Sequence, residues 1–245
     1  MVITSFVSAR VGSSRLPKKC LLPFGEGNVL QHGIRRAKIN GLNPIVCTPS
    51  SHENNVIEEI ALSEGVRCFR GHDDDRLRRW RDCAREFNIT AFHTVDLDDP
   101  FFDPEMMKAS FELMLKDDLD FVEPTSLSSN GNASVGYSIR TSIVESACQL
   151  YSVGVNTELL WNYLKKVNGY RSIVLPQSDC FSSIEARLTL DYEEDYWLLS
   201  TLCRILGNDA SRSDIDRVLI DNPALKSINW FRNDEWKGNQ NSPSL

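Results

Sequence analysis

The sequence predicts an α/β fold organised around a mainly parallel, doubly wound sheet. Two observations carry this. Short apolar, β-branched runs alternate with stretches of about 10–15 residues that have helical spacing, the pattern of strands joined by crossover helices. The 245 residues also show no internal repeat and no low-complexity linker, so they fit a single domain over 1–245.

The elements follow in order. VITSFVS at 2–8 reads as a buried strand and is followed by a polar loop over 9–19. Residues 28–39 carry apolar side chains at helical spacing, PIVCT at 44–48 is a second strand, and 53–64 form an acidic amphipathic helix stopped by Gly65. VRCFR at 66–70 is a third strand and 73–87 a charged helix. AFHTVDL at 91–97 is a fourth strand, followed by a helix through about Lys116 with Asp103 as N-cap and Pro104 at its first position. The Ser-, Asn- and Gly-rich stretch 124–142 predicts a loop or a β-excursion from the sheet. Residues 143–150 and 155–167 read as helices, and SIEARLTLD at 183–191 as a strand that ends in an acid. DYWLLSTLCRIL continues as a helix, and the polar tail after Glu235 is expected to fray.

Composition narrows the classes of function. A formal charge of −7 argues against non-specific nucleic-acid binding, and it sets off the basic cluster Arg10, Arg15, Lys18 and Lys19. Seven widely spaced cysteines without a Cys-x-x-Cys disfavour a zinc site or a disulfide framework and predict a reducing compartment. No run approaches the ~18 apolar residues of a membrane span, so a soluble, cytoplasmic protein is expected.

The chemistry concentrates at strand ends. In the loop after the first strand, Gly12 lets backbone amides approach a ligand, Ser13 and Ser14 offer donors, and Arg10, Arg15 and Lys19 supply charge. Neither the P-loop nor the dinucleotide-turn spacing is present, and composition leaves phosphate binding and a solvated basic loop as alternatives. Asp96, Asp98 and Asp99 follow the strand AFHTV, and Asp191 ends the strand ARLTL. Two such carboxylates on one sheet edge suit Mg²⁺; the alternative is helix capping, which accounts for Asp103 and for Glu193–Asp195 but not for Asp98. The four histidines lack metal-ligand spacing, and Arg76, Arg78, Arg79 and Arg81, interleaved with aspartates, read as a salt-bridged helix face.

Four blocks of sequence then resemble a known family. SARVGSSRLPKK is similar to the A-R-x-G-S-x-R-L-P-x-K opening of the cytidylyltransferases that make CMP-activated acidic sugars, with Lys18 in place of the usual glycine. These include CMP-KDO synthetase, CMP-sialic acid synthetase and the spore-coat polysaccharide protein F (SpsF) group. RGHDDDRLRRW, DLDDPFFDPEMM and RLTLDYEEDY resemble the later R-G-x-x-x-D-x-L-x-R-[YW], G-D-C-P-L-I-D-P-E-x-[IM] and R-L-T-V-D-x-x-E-D-Y segments, with departures that include Leu97 and Asp99. The blocks occur in the family's order across residues 2–235.

The resemblance implies a three-layer α/β/α nucleotidyltransferase fold of GT-A type, with an acceptor-binding or dimerisation excursion within 124–182. It implies transfer of CMP from CTP to an acidic sugar in surface polysaccharide or glycoconjugate biosynthesis, with Mg²⁺ as cofactor and a homodimer as the assembly. Alternatives are transfer to a sugar phosphate or phosphonate, or a non-catalytic nucleotide-binding member. Carried over by position, Arg10, Ser13, Arg15 and Lys19 hold the triphosphate, with Lys19, Arg15 and Asp98 at the reacting centre. Asp98 and Asp191 hold the metal. Ala9, Gly12, Thr48 and Gly71 fall on the nucleotide side. Arg140, where the family often has an acid, is either an acceptor-binding residue or a surface residue on a β-arm.

Overall fold

The structure, a computed structural model, describes residues 2–125, 128, 131–133, 135–176 and 184–241. Its strands are β1 (Ile3–Ser8), β2 (Pro23–Phe24), β3 (Gly27–Asn28), β4 (Leu42–Pro49), β5 (Arg67–Gly71), β6 (Ala91–Asp96), β7 (Phe121–Glu123), β8 (Ser138–Arg140) and β9 (Ser172–Val174). The helices are α1 (Val29–Ile39), α2 (Asn55–Ser63), α3 (Arg76–Glu86), α4 (Pro104–Lys116), α5 (Thr141–Cys148), α6 (Trp161–Leu164), α7 (Glu193–Leu206), α8 (Arg212–Asp221), α9 (Pro223–Lys226) and α10 (Arg232–Asn241).

Seven strands form one sheet in the order β5-β4-β1-β6-β8-β7-β9, and β2 pairs with β3 in a small hairpin. β1, β4, β5 and β6 are mutually parallel, so their carboxyl ends share one edge. β8 runs antiparallel to both β6 and β7, while β9 is parallel to β7. The sheet is therefore mostly parallel, as expected. The 124–182 segment returns two strands, β8 and β9, to this same sheet.

Strand alternation explains the three layers. Phe6, Ile45, Phe92 and Phe121 pack with Leu77 and Trp80 of α3 and Val144 of α5 on one face. Their neighbours Val7, Val46, Val95 and Val122 pack on the other with Leu30 of α1, Met107 of α4 and Leu198 of α7. Helix ends form where local chemistry predicts them. Asn28 and Gln31 make a reciprocal capping box on α1. Asp103 accepts from the Glu105 and Met106 amides ahead of Pro104, and Gly65 leaves α2 with φ +68°.

Three expectations are corrected. The helix expected over 155–167 shrinks to α6. Residues 184–191 join no ladder: the Leu188 amide donates to Gly131 O at 2.8 Å and the Leu190 amide to Asp98 O at 2.6 Å. Alternation correctly marks an extended buried chain, but its partners here are loops rather than a sheet edge. Of the tail expected to fray after Glu235, residues 236–241 instead continue α10, with Trp236 against the Arg187 guanidinium at 5.4 Å, and 242–245 lie outside the described residues. Six cysteines are free among the described residues; Cys180 lies outside them. No described helix is long and apolar enough to cross a membrane.

Candidate active site

β1 and β6 end side by side, with Ser8 in register with Asp96. The loops leaving them, the extended segment ending at Asp191, and residues 156–161 enclose a cleft of about 490 Å³. This is the sheet's switch point: from β1 the chain winds outward through β4 and β5, then returns to place β6 on β1's other side. The basic loop is tied down at both ends. The Val11 amide donates to Asn54 Oδ1 at 2.9 Å, and the Cys20 thiol donates to Arg10 O at 3.3 Å.

Lys19 bridges the two strand-end acids. Its Nζ lies 2.7 Å from Asp98 Oδ1 and 3.0 Å from Asp191 Oδ1, and it also donates to Leu190 O. The two carboxylate oxygens are thus at most 5.7 Å apart, the sum of those two contacts. Arg15 Nη2 adds a 2.7 Å contact to the same Asp191 oxygen. Burial opposes the Lys19 charge, but Asp98 and Asp191 outweigh it and hold the ammonium above the usual lysine range. Burial likewise opposes ionisation of Asp191, yet Lys19 and Arg15 prevail and its carboxyl sits low. At Asp98 the balance reverses. Burial pushes its carboxyl up, Lys19 pulls against this, and the Asp191 charge adds to the rise. Asp98 still meets solvent through the cleft mouth, with 44 % of its side chain exposed.

The structure thus brings Ala9, Arg10, Gly12, Ser13, Arg15, Lys19, Asp98 and Asp191 to one cleft. Gly12 is not demanded by the protein itself: its φ is not left-handed, and an added Cβ would meet only Glu53 Oε1 at 3.5 Å. The left-handed residue is Lys18, at φ 56°.

Three predicted residues fall elsewhere. Thr48 is fully buried inside β4 and does not line the cleft. Gly71 does not line it either; an added Cβ there would collide with the Phe69 ring at 2.7 Å and press on Arg79 Cγ at 3.1 Å. Arg140 pairs in register with Ala91, the first residue of β6, whereas the cleft lies beyond its last, Asp96. Its guanidinium donates to Leu119 O at 2.8 Å and pairs with Asp118 at 3.0 Å, because antiparallel β8 carries it to the opposite edge of the sheet.

Several cleft residues escaped the sequence reading. Arg76, Arg78 and Arg79 are not on a solvated face but buried, and Arg76 and Arg79 line the cleft. Arg76 pairs with Asp96 and stacks over Trp80. The available signal was the stripe Arg76, Arg79, Trp80, Cys83, Ala84, whose spacing puts the arginines on the apolar face of α3. Glu158 also lines the cleft and lies 3.6 Å from Arg10. No group of three or more His, Cys, Asp or Glu side chains is arranged to hold a metal among the described residues. Two hard carboxylates that already share one cation, Lys19, nevertheless fit a divalent ion that fills its shell with phosphate oxygens and water.

A family model described as cytidylyltransferase matches residues 4–146. The spore coat polysaccharide biosynthesis protein SpsF of Bacillus subtilis is 25% identical over 237 residues, covering 90% of this chain and 95% of its own. A cytidylyltransferase structure from Leptospira borgpetersenii superposes with a TM-score of 0.80 at 24% identity, covering 92% of this chain and 97% of that one. The structure of CMP:2-keto-3-deoxy-manno-octonic acid synthetase complexed with CTP gives 0.62 at 16% identity, covering 84% and 99%.

Proposed function

The chain belongs to the cytidylyltransferase family, and we propose that it transfers CMP from CTP to an acidic sugar of the ulosonic-acid type, releasing pyrophosphate. The observation that carries this reading is the pair Asp98 and Asp191, bridged by Lys19 beside the basic loop. The acidic acceptor is supported by two similar proteins, one named for polysaccharide biosynthesis and one for synthesis of a CMP-linked keto-acid. The same proposal includes a homodimer, with 124–182 as the acceptor-binding or dimerisation segment.

In this reading Arg10, Ser13, Arg15 and Lys19 hold the triphosphate. The open space at Gly12 lets the loop backbone lie against a phosphate. Asp98 and Asp191 would hold Mg²⁺, which when bound supplies Lewis-acid polarisation of the α-phosphate. An acceptor hydroxyl oxygen forms a bond to the α-phosphorus as the bond to the bridging oxygen breaks; that oxygen leaves with pyrophosphate, and the hydroxyl proton passes to solvent. Lys19 and Arg15, both held above their ordinary pKa values, stay charged throughout. They act as fixed cations for the leaving group rather than as proton donors. The buried contacts of Lys19 to Asp98, Asp191 and Leu190 O set its position before substrate arrives.

The test is pyrophosphate release, with each of the four nucleoside triphosphates offered against ulosonic acids and sugar phosphates, with Mg²⁺ and with EDTA. CTP with a ulosonic acid and Mg²⁺ should turn over, and EDTA should stop it. Turnover only with sugar phosphates would replace the acidic-sugar assignment. Undiminished activity in EDTA would remove the metal role of Asp98 and Asp191.

A further inference from the structure

Lys19 and Arg15 close a balanced set of charges with the two acids of the cleft. The Lys19 ammonium touches Asp98 Oδ1 at 2.7 Å and Asp191 Oδ1 at 3.0 Å, and Arg15 Nη2 holds the same Asp191 oxygen at 2.7 Å. Two cations thus balance two carboxylates. Much of this set is shielded from water, with 15% of the Lys19 side chain and 4% of the Asp191 side chain exposed. Elsewhere in the cleft Arg10 faces Glu158 at 3.6 Å, and Arg76 pairs with Asp96.

Matched charges set the terms on which ions enter. A divalent cation ligated by Asp98 Oδ1 at about 2 Å would lie within about 5 Å of the ammonium, the sum of that ligand distance and the 2.7 Å contact. Added alone, it would leave two positive charges uncompensated where water screens them poorly. A triphosphate arriving alone meets the converse. It can take Lys19 and Arg15 only by stripping the acids of their partners, and it brings further negative charge beside them. Together the two resolve the conflict, because phosphate oxygens take the cationic side chains and the divalent ion takes the carboxylates they leave. Lys19 can change partners without leaving the cleft, since its third contact, to Leu190 O at 3.1 Å, involves neither carboxylate.

We propose that Lys19 is a resident counter-cation that keeps divalent ions off Asp98 and Asp191 until a triphosphate draws it away, so that metal and nucleotide binding depend on each other. The proposal rests on the assignment above of these acids to Mg²⁺ and of Lys19 to the triphosphate. The coupling is reciprocal: the factor by which nucleotide tightens the metal is the factor by which metal tightens the nucleotide.

Mn²⁺ binding to the full chain, read from loss of the free-ion electron paramagnetic resonance signal, tests this. Without nucleotide the unaltered protein should bind Mn²⁺ weakly, and Lys19→Gln should bind it about tenfold more tightly. Adding Asp98→Asn to Lys19→Gln should abolish the gain, which places the ion at the acids. Arg10→Gln removes an equal charge from the same cleft, from a side chain that faces Glu158, and should change Mn²⁺ affinity by less than about threefold. The reciprocal measurement keeps Lys19 intact. Asp98 has 44% of its side chain exposed, so Asp98→Asn is a mild change for the fold. In EDTA this variant should bind CTP about tenfold more tightly than the unaltered protein by calorimetry, because its ammonium is freed for phosphate. Equal Mn²⁺ affinity in Lys19→Gln and the unaltered protein overturns the proposal, as does an equal gain in Arg10→Gln, which marks a general charge effect. CTP binding in EDTA that Asp98→Asn leaves unchanged or weakens overturns it as well. In each of these cases Mn²⁺ binding in the presence of CTP leaves the metal role of the acids standing. No Mn²⁺ binding by any variant, with or without CTP, removes that role and the proposal together.

Discussion

Arg187 and Asp195 form a bidentate ion pair with contacts of 2.8 and 2.9 Å, and neither side chain is exposed. Asp195 Oδ2 also accepts the amides of Asp191 and Tyr192, each at 2.9 Å, while Asn229 donates to Asp195 Oδ1 and to Arg187 O. The pair thus holds the backbone from which Asp191 enters the cleft. Removing one partner leaves a buried charge uncompensated. Arg187→Met should therefore lose about 3–5 kcal/mol in urea unfolding. Arg187→Lys should recover only part of this, because an ammonium cannot make the planar two-point contact. A loss below about 1 kcal/mol in Arg187→Met would show that the network is not holding this region.

Asp98 and Asp191 share Lys19 but should respond unequally to neutralisation. Asp98 has a raised pKa in the fold, so the stability linked to its protonation is present at low pH and lost as pH rises through the folded value. Asp191 has a lowered pKa, so its contribution is present above the unfolded value and lost as pH falls through the folded one. At pH 7 Asp191→Asn should lower the melting temperature, and Asp98→Asn, whose side chain is 44 % exposed, should change it less. Both should lose two to three decades of turnover if they serve the α-phosphate, about 3–4 kcal/mol of transition-state stabilisation. Matched melting shifts would contradict the assigned electrostatics.

What the sequence disclosed was local. The Asn28–Gln31 box, Asp103 before Pro104 and the Gly65 stop each depend on residues within one turn, and each lies where expected. Lys19, Asp98 and Asp191 were legible through family-like blocks and strand-end placement, but their sharing of one ammonium is tertiary information. The arginines of α3 were misjudged because interleaved aspartates imitate a solvated face. Asp75 is in fact 1% exposed, capping α3 through the Arg78 amide. The 184–191 segment shows the limit of alternation: it encodes which side chains are buried, not whether the backbone finds a strand or a loop. For Arg140 the sequence leaves an acceptor-binding and a surface role open, and antiparallel β8 carries it to the edge of the sheet away from the cleft.

Arg140 provides a direct check on that placement. Its contacts are to Asp118 and Leu119 O, with 30% of its side chain exposed. Arg140→Gln should keep kcat/KM for every accepted substrate within about twofold and cost no more than about 1 kcal/mol of stability, as for a surface pair. A large rise in acceptor KM would return Arg140 to the substrate site.

Lys18 stands in the left-handed region at φ 56° and ψ 29°, where the resembling family usually has glycine. A Cβ in this conformation costs about 1–2 kcal/mol, and glycine returns about 0.5–1 of that through its flexible unfolded chain. Lys18 is exposed, so no packing is lost on substitution. Lys18→Gly should stabilise the protein by about 0.5–1 kcal/mol in chemical denaturation. Destabilisation would mean that the Lys18 side chain makes a favourable contribution that its backbone geometry does not reveal.

His32 and His93 should make the fold sensitive to mild acid. His32 Nε2–H donates to Pro100 O at 2.8 Å; His93 Nε2–H donates to Val135 O at 2.6 Å, while its Nδ1 accepts from the Ser138 hydroxyl at 2.8 Å. Burial lowers both to about 4, against the weaker upward pull of those carbonyls. The unfolded chain takes up these protons near pH 6.5, while the fold resists them until about pH 4. Stability from each neutral imidazole is therefore fully present above pH 6.5 and declines as pH falls toward 4. Each residue should account for a loss of about 3 kcal/mol across that window. Carboxyls act in the same window, because the linkage of Asp191 and Glu158 begins where the unfolded chain takes up carboxyl protons and the raised carboxyl of Asp98 works in the opposite sense. The histidine part is therefore read as the difference between the unaltered protein and His93→Gln. Urea unfolding of the unaltered protein should steepen by about 1.4 kcal/mol per pH unit for each histidine, and His93→Gln should remove one such increment. Parallel profiles for the unaltered protein and His93→Gln between about pH 6 and 4.5 would show that the His93 imidazole takes up its proton without opening the fold.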